Sequence, residues 1–498
     1  MDNLMNRNLE KTYCNPLSLP DIPSGKDDWY RFETAMFSHE TPPDGMGGPY
    51  YRSISDPTVY YYGGKWYLYP SYGMAWVSED FYNWKHVRTE PYCGKYSPCI
   101  TKWGDKFLLT SWNCPLYVGD NPLGPFTLLG SFILPDGTEF VPCDPCIFTD
   151  DDGRIYMYAC NAVYKEGMEN HIGQIVGWEL DTADPRKVLR GPEVIMEMNP
   201  ASKPWERHGY HNQDKDFGWV EGPHLLKHNG RYYMIYAAPD TCDASYCMAV
   251  YYSDKEPLSG FKCQKRNPLT VHRHGIVGGA GHGCVEHGPG NTLWAFYTIA
   301  ANYLHMYERR IGMDLVAVDE NGELYCPHGV TDTPQYAPGA CADPVNGVFR
   351  PQLLSLTGKV RPTVSSAKEG RDGLYATDES ALTFWEPDIN DKTPTLICDL
   401  SATFYAAAVR IFWRENGLDY SGGVLPGPIG WLLDGGEWIT LADNRNPAEE
   451  KNIDYKVFPI KKCSSVRLTI TDHPRGIHPG IIDFAVFGIK HKEDILIP

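Results

Sequence analysis

Apolar and polar positions along the first two thirds of the chain repeat one phrase: an apolar run, a glycine-bearing turn, then a run rich in aromatics. DPCIFTDDDGRIYMYA, from Asp144, is the clearest copy. The others are DPTVYYYGGKWYLYPSY from Asp56, SPCITKWGDKFLLTSW from Ser97, EGPHLLKHNGRYYMIYAA from Glu221 and GHGCVEHGPGNTLWAFYT from Gly281. Short apolar runs punctuated this way predict β-hairpins. The turn glycines Gly64, Gly104, Gly153, Gly230 and Gly290 are 40, 49, 77 and 60 residues apart, room each time for a four-stranded antiparallel sheet. Such repetition predicts an all-β fold with a five-bladed β-propeller over residues 51–335.

The flanks read differently. Residues 1–50 are rich in Pro, Gly and charge, but Tyr13, Trp29, Tyr30 and Phe32 would be costly to leave bare, so this extension is expected to pack on the propeller. Pro- and Gly-rich text over 336–355 predicts a linker, and the short strands of 356–498 predict a β-sandwich. Segments 78–84, 120–126 and 253–261 follow the first, second and fourth hairpins, and the last two are versions of one turn. They read as blade edges without chemistry.

Composition narrows the function. A net charge of −18 argues against nucleic acid, because phosphate binding needs clustered Lys and Arg. No window of about 20 apolar residues exists to span a membrane. The start shows no apolar signal region, so the cytoplasm is the expected location. The 15 cysteines then read as buried thiols. Nothing in the sequence sets an oligomeric state.

Candidate chemistry lies at the hairpin mouths. Asp56, Asp144 and Glu221 precede their turn glycines by 8, 9 and 9 residues, and His282 precedes its own by 8. The first strand of each propeller blade lines the axis, so these four side chains are expected to meet in one funnel. Singly, each reads as a strand-entry turn. Together, converging carboxylates push their pKa values apart, which is what glycosidic-bond hydrolysis needs: one acid protonated, one carboxylate ionised. Asp150, Asp151 and Asp152 read as solvated turn residues. Cys143 and Cys146 form a lone C-x-x-C that strand alternation explains as packing. His208, His211 and His224 match no zinc spacing and are expected to touch substrate or solvent. The Gly-rich 278–283 does not lead into a helix, so it is no phosphate cradle.

At these residues the chain resembles glycoside hydrolase family 43, on Ser55-Asp56-Pro57, Asp144 through Gly153, and Trp219-Val220-Glu221-Gly222-Pro223. The resemblance covers roughly residues 51–330. It implies a five-bladed propeller and hydrolysis with inversion, with Asp56 as general base, Glu221 as general acid and Asp144 tuning and orienting Glu221. It also implies that His282 sits near an axial calcium or water cluster, and that an arginine of the last blade reaches the sugar. Arg309 and Arg310 compete for that part, and Arg310 is taken as the candidate. Tyr72, Trp76, Trp112 and His224 complete the expected substrate contacts. The C-terminal region resembles the discoidin-like, galactose-binding carbohydrate modules, on 376–380, Phe384-Trp385, 434–438, 466–468 and 484–488. Whether it binds sugar or braces the propeller is left open by the sequence.

The expectation is an exo-acting glycosidase that releases a pentose, α-L-arabinofuranose or β-D-xylose, from plant oligosaccharides, with no cofactor required and at most a structural calcium. Rival readings are a galactofuranosidase or galactosidase of the same fold, and a non-catalytic carbohydrate-binding protein. Retaining fructan-cleaving propellers are disfavoured, because their Asn-Asp-Pro-Asn-Gly, Arg-Asp-Pro and Glu-Cys signatures are missing.

Overall fold

A computed structural model describes residues 9–20, 54–71, 74–88, 96–164, 170–209, 211–271, 275–300, 309–339, 351–416, 428–473 and 478–489. Five four-stranded antiparallel sheets follow one another in sequence, each in simple up-and-down order. Their inner strands are Thr58–Tyr62, Cys99–Trp103, Cys143–Thr149, Glu221–His228 and Gly283–His287. These are the five blades of a propeller. The turn glycines Gly64, Gly104, Gly153, Gly230 and Gly290 all have positive φ, with nothing within 4 Å of a built Cβ. Backbone conformation, not crowding, selects glycine there.

Inner strands are stitched sideways through sulfur as well as through side-chain packing. The Val59 N–H points to Cys284 Sγ at 3.2 Å, Ile147 N–H to Cys99 Sγ at 3.1 Å, and Leu225 N–H to Cys146 Sγ at 3.4 Å. Cys99, Cys146 and Cys284 occupy the same place in three blades and are buried, as strand alternation implied. The segments 78–84, 120–126 and 253–261 each connect the third and fourth strands of a blade.

A strap from the start of the chain crosses the last blade. Thr12–Tyr13 pairs with Gln335–Tyr336, and Leu17 N–H donates to the Ile311 carbonyl. Asn15, fully buried, donates to the Met313 and Thr331 carbonyls and accepts from Met313 N–H. Tyr13 is buried with it, as its aromatic ring demanded. Trp29, Tyr30 and Phe32 lie outside the described residues.

The C-terminal unit is a seven-stranded sheet folded on itself into a sandwich. Two long strands, Thr395–Asn416 and Ile453–Asp472, serve both layers, and register breaks at 399–404 and 406–408 turn them from one to the other. Phe384, Phe412, Ile453 and Ile482 of the sandwich share a core with Val277, Val285 and Ile299 of the last blade. Arg410 fixes the seam. Its guanidinium donates to Asp483 at 2.8 Å, to the Asn15 carbonyl at 2.6 Å and to the Asp332 carbonyl at 2.5 Å. No described helix is long and apolar enough to cross a membrane.

Candidate active site

The residue at the mouth of each inner strand has a left-handed backbone: Asp56 (φ 50°), Ser97 (φ 55°), Asp144 (φ 47°), Gly222 (φ 55°) and His282 (φ 39°). Four of the five are not glycine, and each such residue costs on the order of 1–3 kcal/mol. The kink aims the adjoining side chains at the axis. It also corrects the register of the fourth blade: the counterpart of Asp144 is Gly222, and the carboxylate comes from Glu221, one residue earlier. Gly222 is required there, because a Cβ would lie 2.6 Å from the His282 ring.

Asp56 lies at the bottom of the funnel, 4% exposed. Its Oδ2 accepts from Ser71 Oγ at 2.7 Å and Ser55 Oγ at 2.9 Å, and its Oδ1 faces Arg309 Nη1 at 3.4 Å and His282 Nδ1 at 3.6 Å. Burial alone would raise its pKa. Arg309, His282 and the two hydroxyls outweigh burial and hold the carboxyl below its ordinary value.

Glu221 is nearer the mouth, its side chain 20% exposed. Trp219 Nε1 donates to Oε2 at 2.8 Å and the Tyr246 hydroxyl donates to Oε1, so both oxygens are oriented. Gly281 makes room for Tyr246: a Cβ there would sit 2.4 Å from the ring. Asp144 is buried between blades and receives the Ser97 hydroxyl and the Gly222 N–H. Burial, then the charge of Asp56, pushes Asp144 up to about 7; burial, then Asp144, pushes Glu221 up to about 7. The two carboxyls titrate as a pair that holds a proton near neutrality.

His282 stands between these groups. Its Nδ1 is 3.6 Å from Asp56 Oδ1 and 3.9 Å from Glu221 Oε1, and its Nε2 meets Ser97 Oγ at 2.5 Å. Both ring nitrogens therefore face polar groups of the protein, Nε2 within hydrogen-bond distance and Nδ1 beyond it.

Other expected contacts divide. Trp112 is half-buried and meets Tyr96 edge-on, whose ring Arg309 in turn covers at 5.8 Å, so it borders the site. Tyr72 lies outside the described residues. Trp76 is fully buried, donates to the Pro20 carbonyl and packs under the first blade, sealed from any substrate. Arg310 points away: its Nε donates to Asn452 of the sandwich at 2.6 Å, while its neighbour Arg309 faces Asp56. Alternation along the strand allows only one of the two to reach the funnel. His224 is also displaced. It lines a cavity of about 350 Å³ further along the inner strands, with Thr58, Thr101, Lys102, Lys227 and Glu286. Of the other histidines, His208 is held by Asp243 at 3.1 Å and stacks on Phe217, and His211 is exposed. Asp150 is buried, bound by Lys227 and Tyr232, whereas Asp151 and Asp152 are solvated turn residues.

Ser97, Arg309, Trp219 and Tyr246 thus join the site, with Thr298, whose hydroxyl accepts from Asp56 N–H at 2.8 Å. Ser97 heads its own copy of the repeat and was readable there; Tyr246 enters from a loop that carries no repeat signal.

A family profile described as glycosyl hydrolases family 43 matches residues 49–324. The chain is 29% identical over 178 residues to a xylosidase/arabinosidase of Butyrivibrio fibrisolvens, spanning 34% of this chain and 28% of that protein. It is 24% identical over 250 residues to a beta-xylosidase of Xylanibacter ruminicola (38% and 72%), and 27% identical over 259 residues to a xylan 1,3-beta-xylosidase of a Vibrio species (46% and 44%). The chain thus spans under half the length of two of these three relatives. Among solved structures it is similar to a thermostable family-43 glycoside hydrolase, with TM-score 0.47 and 23% identity over 57% of this chain and 96% of that one.

Proposed function

The chain belongs to family 43 of the glycosyl hydrolases, and from that premise we propose that it is an inverting, exo-acting glycosidase releasing a pentose, α-L-arabinofuranose or β-D-xylose, from plant-derived oligosaccharides. The observation that carries this reading is the opposite treatment of two carboxyls on either side of His282. Asp56 is held ionised by Arg309, and Glu221 is held protonated by burial and Asp144.

In this reading Asp56, deep in the funnel, takes a proton from water as it attacks the anomeric carbon. Glu221, nearer solvent, gives its proton to the departing glycosidic oxygen. Asp144 is a positioning residue: its negative charge keeps the proton on Glu221 until bond cleavage. Arg309 holds Asp56 ionised, and Trp219 and Tyr246 fix the direction of the Glu221 carboxyl. The relatives named for xylosides and arabinosides support a pentose, and the half-buried Trp112 supplies an aromatic face beside the site.

One imidazole nitrogen lies 3.6 Å from Asp56 and 3.9 Å from Glu221, which caps those oxygens at about 7.5 Å apart. That ceiling admits both the ~6.5–9.5 Å of inverting enzymes and the ~5–5.5 Å of retaining ones. The test is therefore the anomer. Proton NMR of the first-formed sugar, with xylosides and arabinofuranosides as substrates, should show inverted configuration. A retained anomer sinks the inverting mechanism, and no turnover across aryl pentosides, galactosides and galactofuranosides sinks the enzyme reading.

A further inference from the structure

Beside the proposed acid lies a donor set that glycoside hydrolysis does not use. Cys143 and Cys160 are register partners across the first two strands of the third blade, with their sulfurs 2.8 Å apart and both thiols free. Asp144 Oδ2 is 3.9 Å from Cys160 Sγ, and one donor atom from each of the three residues lies within 4.8 Å of the others. The C-x-x-C partner implied by the sequence, Cys146, faces the fourth blade instead, so the pair that matters spans two strands. Cys143 is half-buried and gives the set an opening, whereas Asp144 and Cys160 are buried.

We propose that Cys143, Cys160 and Asp144 form a binding site for a soft divalent cation of the Zn²⁺ or Cd²⁺ class, and that its occupation switches off hydrolysis. Two thiolates and a carboxylate make a three-ligand tetrahedral set with a fourth position for water, whereas Ca²⁺ and Mg²⁺ require oxygen donors. Placing zinc at ~2.3 Å from each sulfur requires the thiols to part by about 1 Å, which the half-buried Cys143 can supply by rotation. The Cys143 sulfur, Asp144 and Glu221 crowd Cys160: the hydrogen bond with Cys143, then burial and the two carboxyls, push its thiol up. Arg309, the guanidinium of the site, faces Asp56, as does the His282 ring. A divalent ion displaces the two thiol protons to solvent, pairs with the charge of Asp144 and relieves that crowding. It also ties up Asp144, the positioning residue of the proposed reaction. The inhibitory half rests on the role proposed for Asp144; the binding half does not.

The test uses the full chain carrying Cys242→Ser, because Cys242 is the exposed cysteine among the described residues. Cd²⁺ is titrated after chelator treatment, and the thiolate-to-cadmium charge-transfer band is followed. One strongly bound ion per chain is expected, with affinity falling at least roughly 10–100-fold in Cys143→Ser. Near-ultraviolet circular dichroism checks that this variant is folded, and Cys160→Ser provides a second reading. A Cys143→Ser protein that titrates like its parent, or a parent with no band, overturns the site. Hydrolysis should fall with Cd²⁺ occupancy, return with chelator, and become metal-resistant in Cys143→Ser; equal metal sensitivity in that variant overturns the switch. A parent that binds one Cd²⁺ yet hydrolyses nothing leaves the site standing and removes the glycosidase reading instead.

Discussion

Two buried clusters of charge, one at the propeller mouth and one at the sandwich seam, use similar residues to opposite ends. At the seam a single arginine sits in the middle. Arg410, 2% exposed, donates to Asp483 and to two backbone carbonyls and lies 3.6 Å from Asp332 Oδ2, so its nitrogens are met from three directions. At the mouth the arginine stands to one side. Arg309 and His282 face Asp56, while Asp144 and Glu221 share a proton instead of a counter-ion. A central cation makes a joint. An off-centre one leaves carboxyls with unequal proton affinities, which is a chemical tool.

The largest effects are expected at the mouth. Glu221→Gln should lower kcat/KM on oligosaccharides by about 10²–10⁴-fold with the fold intact, and much less on aryl glycosides whose leaving groups need no proton. Asp56→Asn should lose about as much on every substrate, because water activation does not depend on the leaving group. Steady-state kinetics on both substrate types checks the split; a Glu221→Gln loss that ignores leaving-group pKa removes its role as acid.

At the seam, Arg410→Met should cost about 3–5 kcal/mol of stability by stranding Asp483 and Asp332, read by denaturant melts. Turnover at low temperature by the folded fraction should stay at the parent value, since nothing at the mouth is touched.

Asp144→Asn probes the compensation itself. The folded-state pKa of the pair lies above the unfolded carboxylate value of about 4, so wild-type stability falls as pH rises from there through about 7. The variant should therefore gain on wild type by roughly 1–3 kcal/mol at pH 8, with the gain vanishing near pH 4. Thermal melts across that range check the sign. Its turnover should drop as well, with the alkaline limb of the rate profile moved to lower pH.

The smallest expected effect tests whether the two clusters communicate. Arg310 links them, donating to Asn452 on the sandwich and to the carbonyl of Arg309. Asn452→Ala should cost about 0.5–1.5 kcal/mol in kcat/KM, the worth of one buried hydrogen bond. Unchanged kinetics would show that the seam braces the fold alone.

Much of this was legible in the chain because a propeller repeats its own grammar. The turn glycines, Asp56, Asp144 and His282 fall at matching places in their copies, and Glu221 one residue before its own. What escaped was set by geometry that spacing does not record. Arg309 and Arg310 are adjacent, and only strand parity separates the funnel from the sandwich. His224 shares a strand with Glu221, but three residues further along it lies past the site, beside Glu286 and Lys227. Trp76 carries the same ring as Trp112, yet it closes a core. Tyr246 reaches Glu221 only through a gap left by Gly281. Cys160 gains its meaning from a cross-strand neighbour 17 residues away.

The five left-handed residues at the strand mouths also act as a turret with five stations of equal height. Each is tied to a neighbouring blade, as where Asp56 N–H donates to Thr298 Oγ1 and Ser97 N–H to Ser71 Oγ, so re-equipping one station reaches the next. Ser97 and Gly222 are the stations with neither charge nor ring, and Ser97 touches both His282 and Asp144. A change at Ser97 would therefore be felt at the histidine and at the buried carboxyl together.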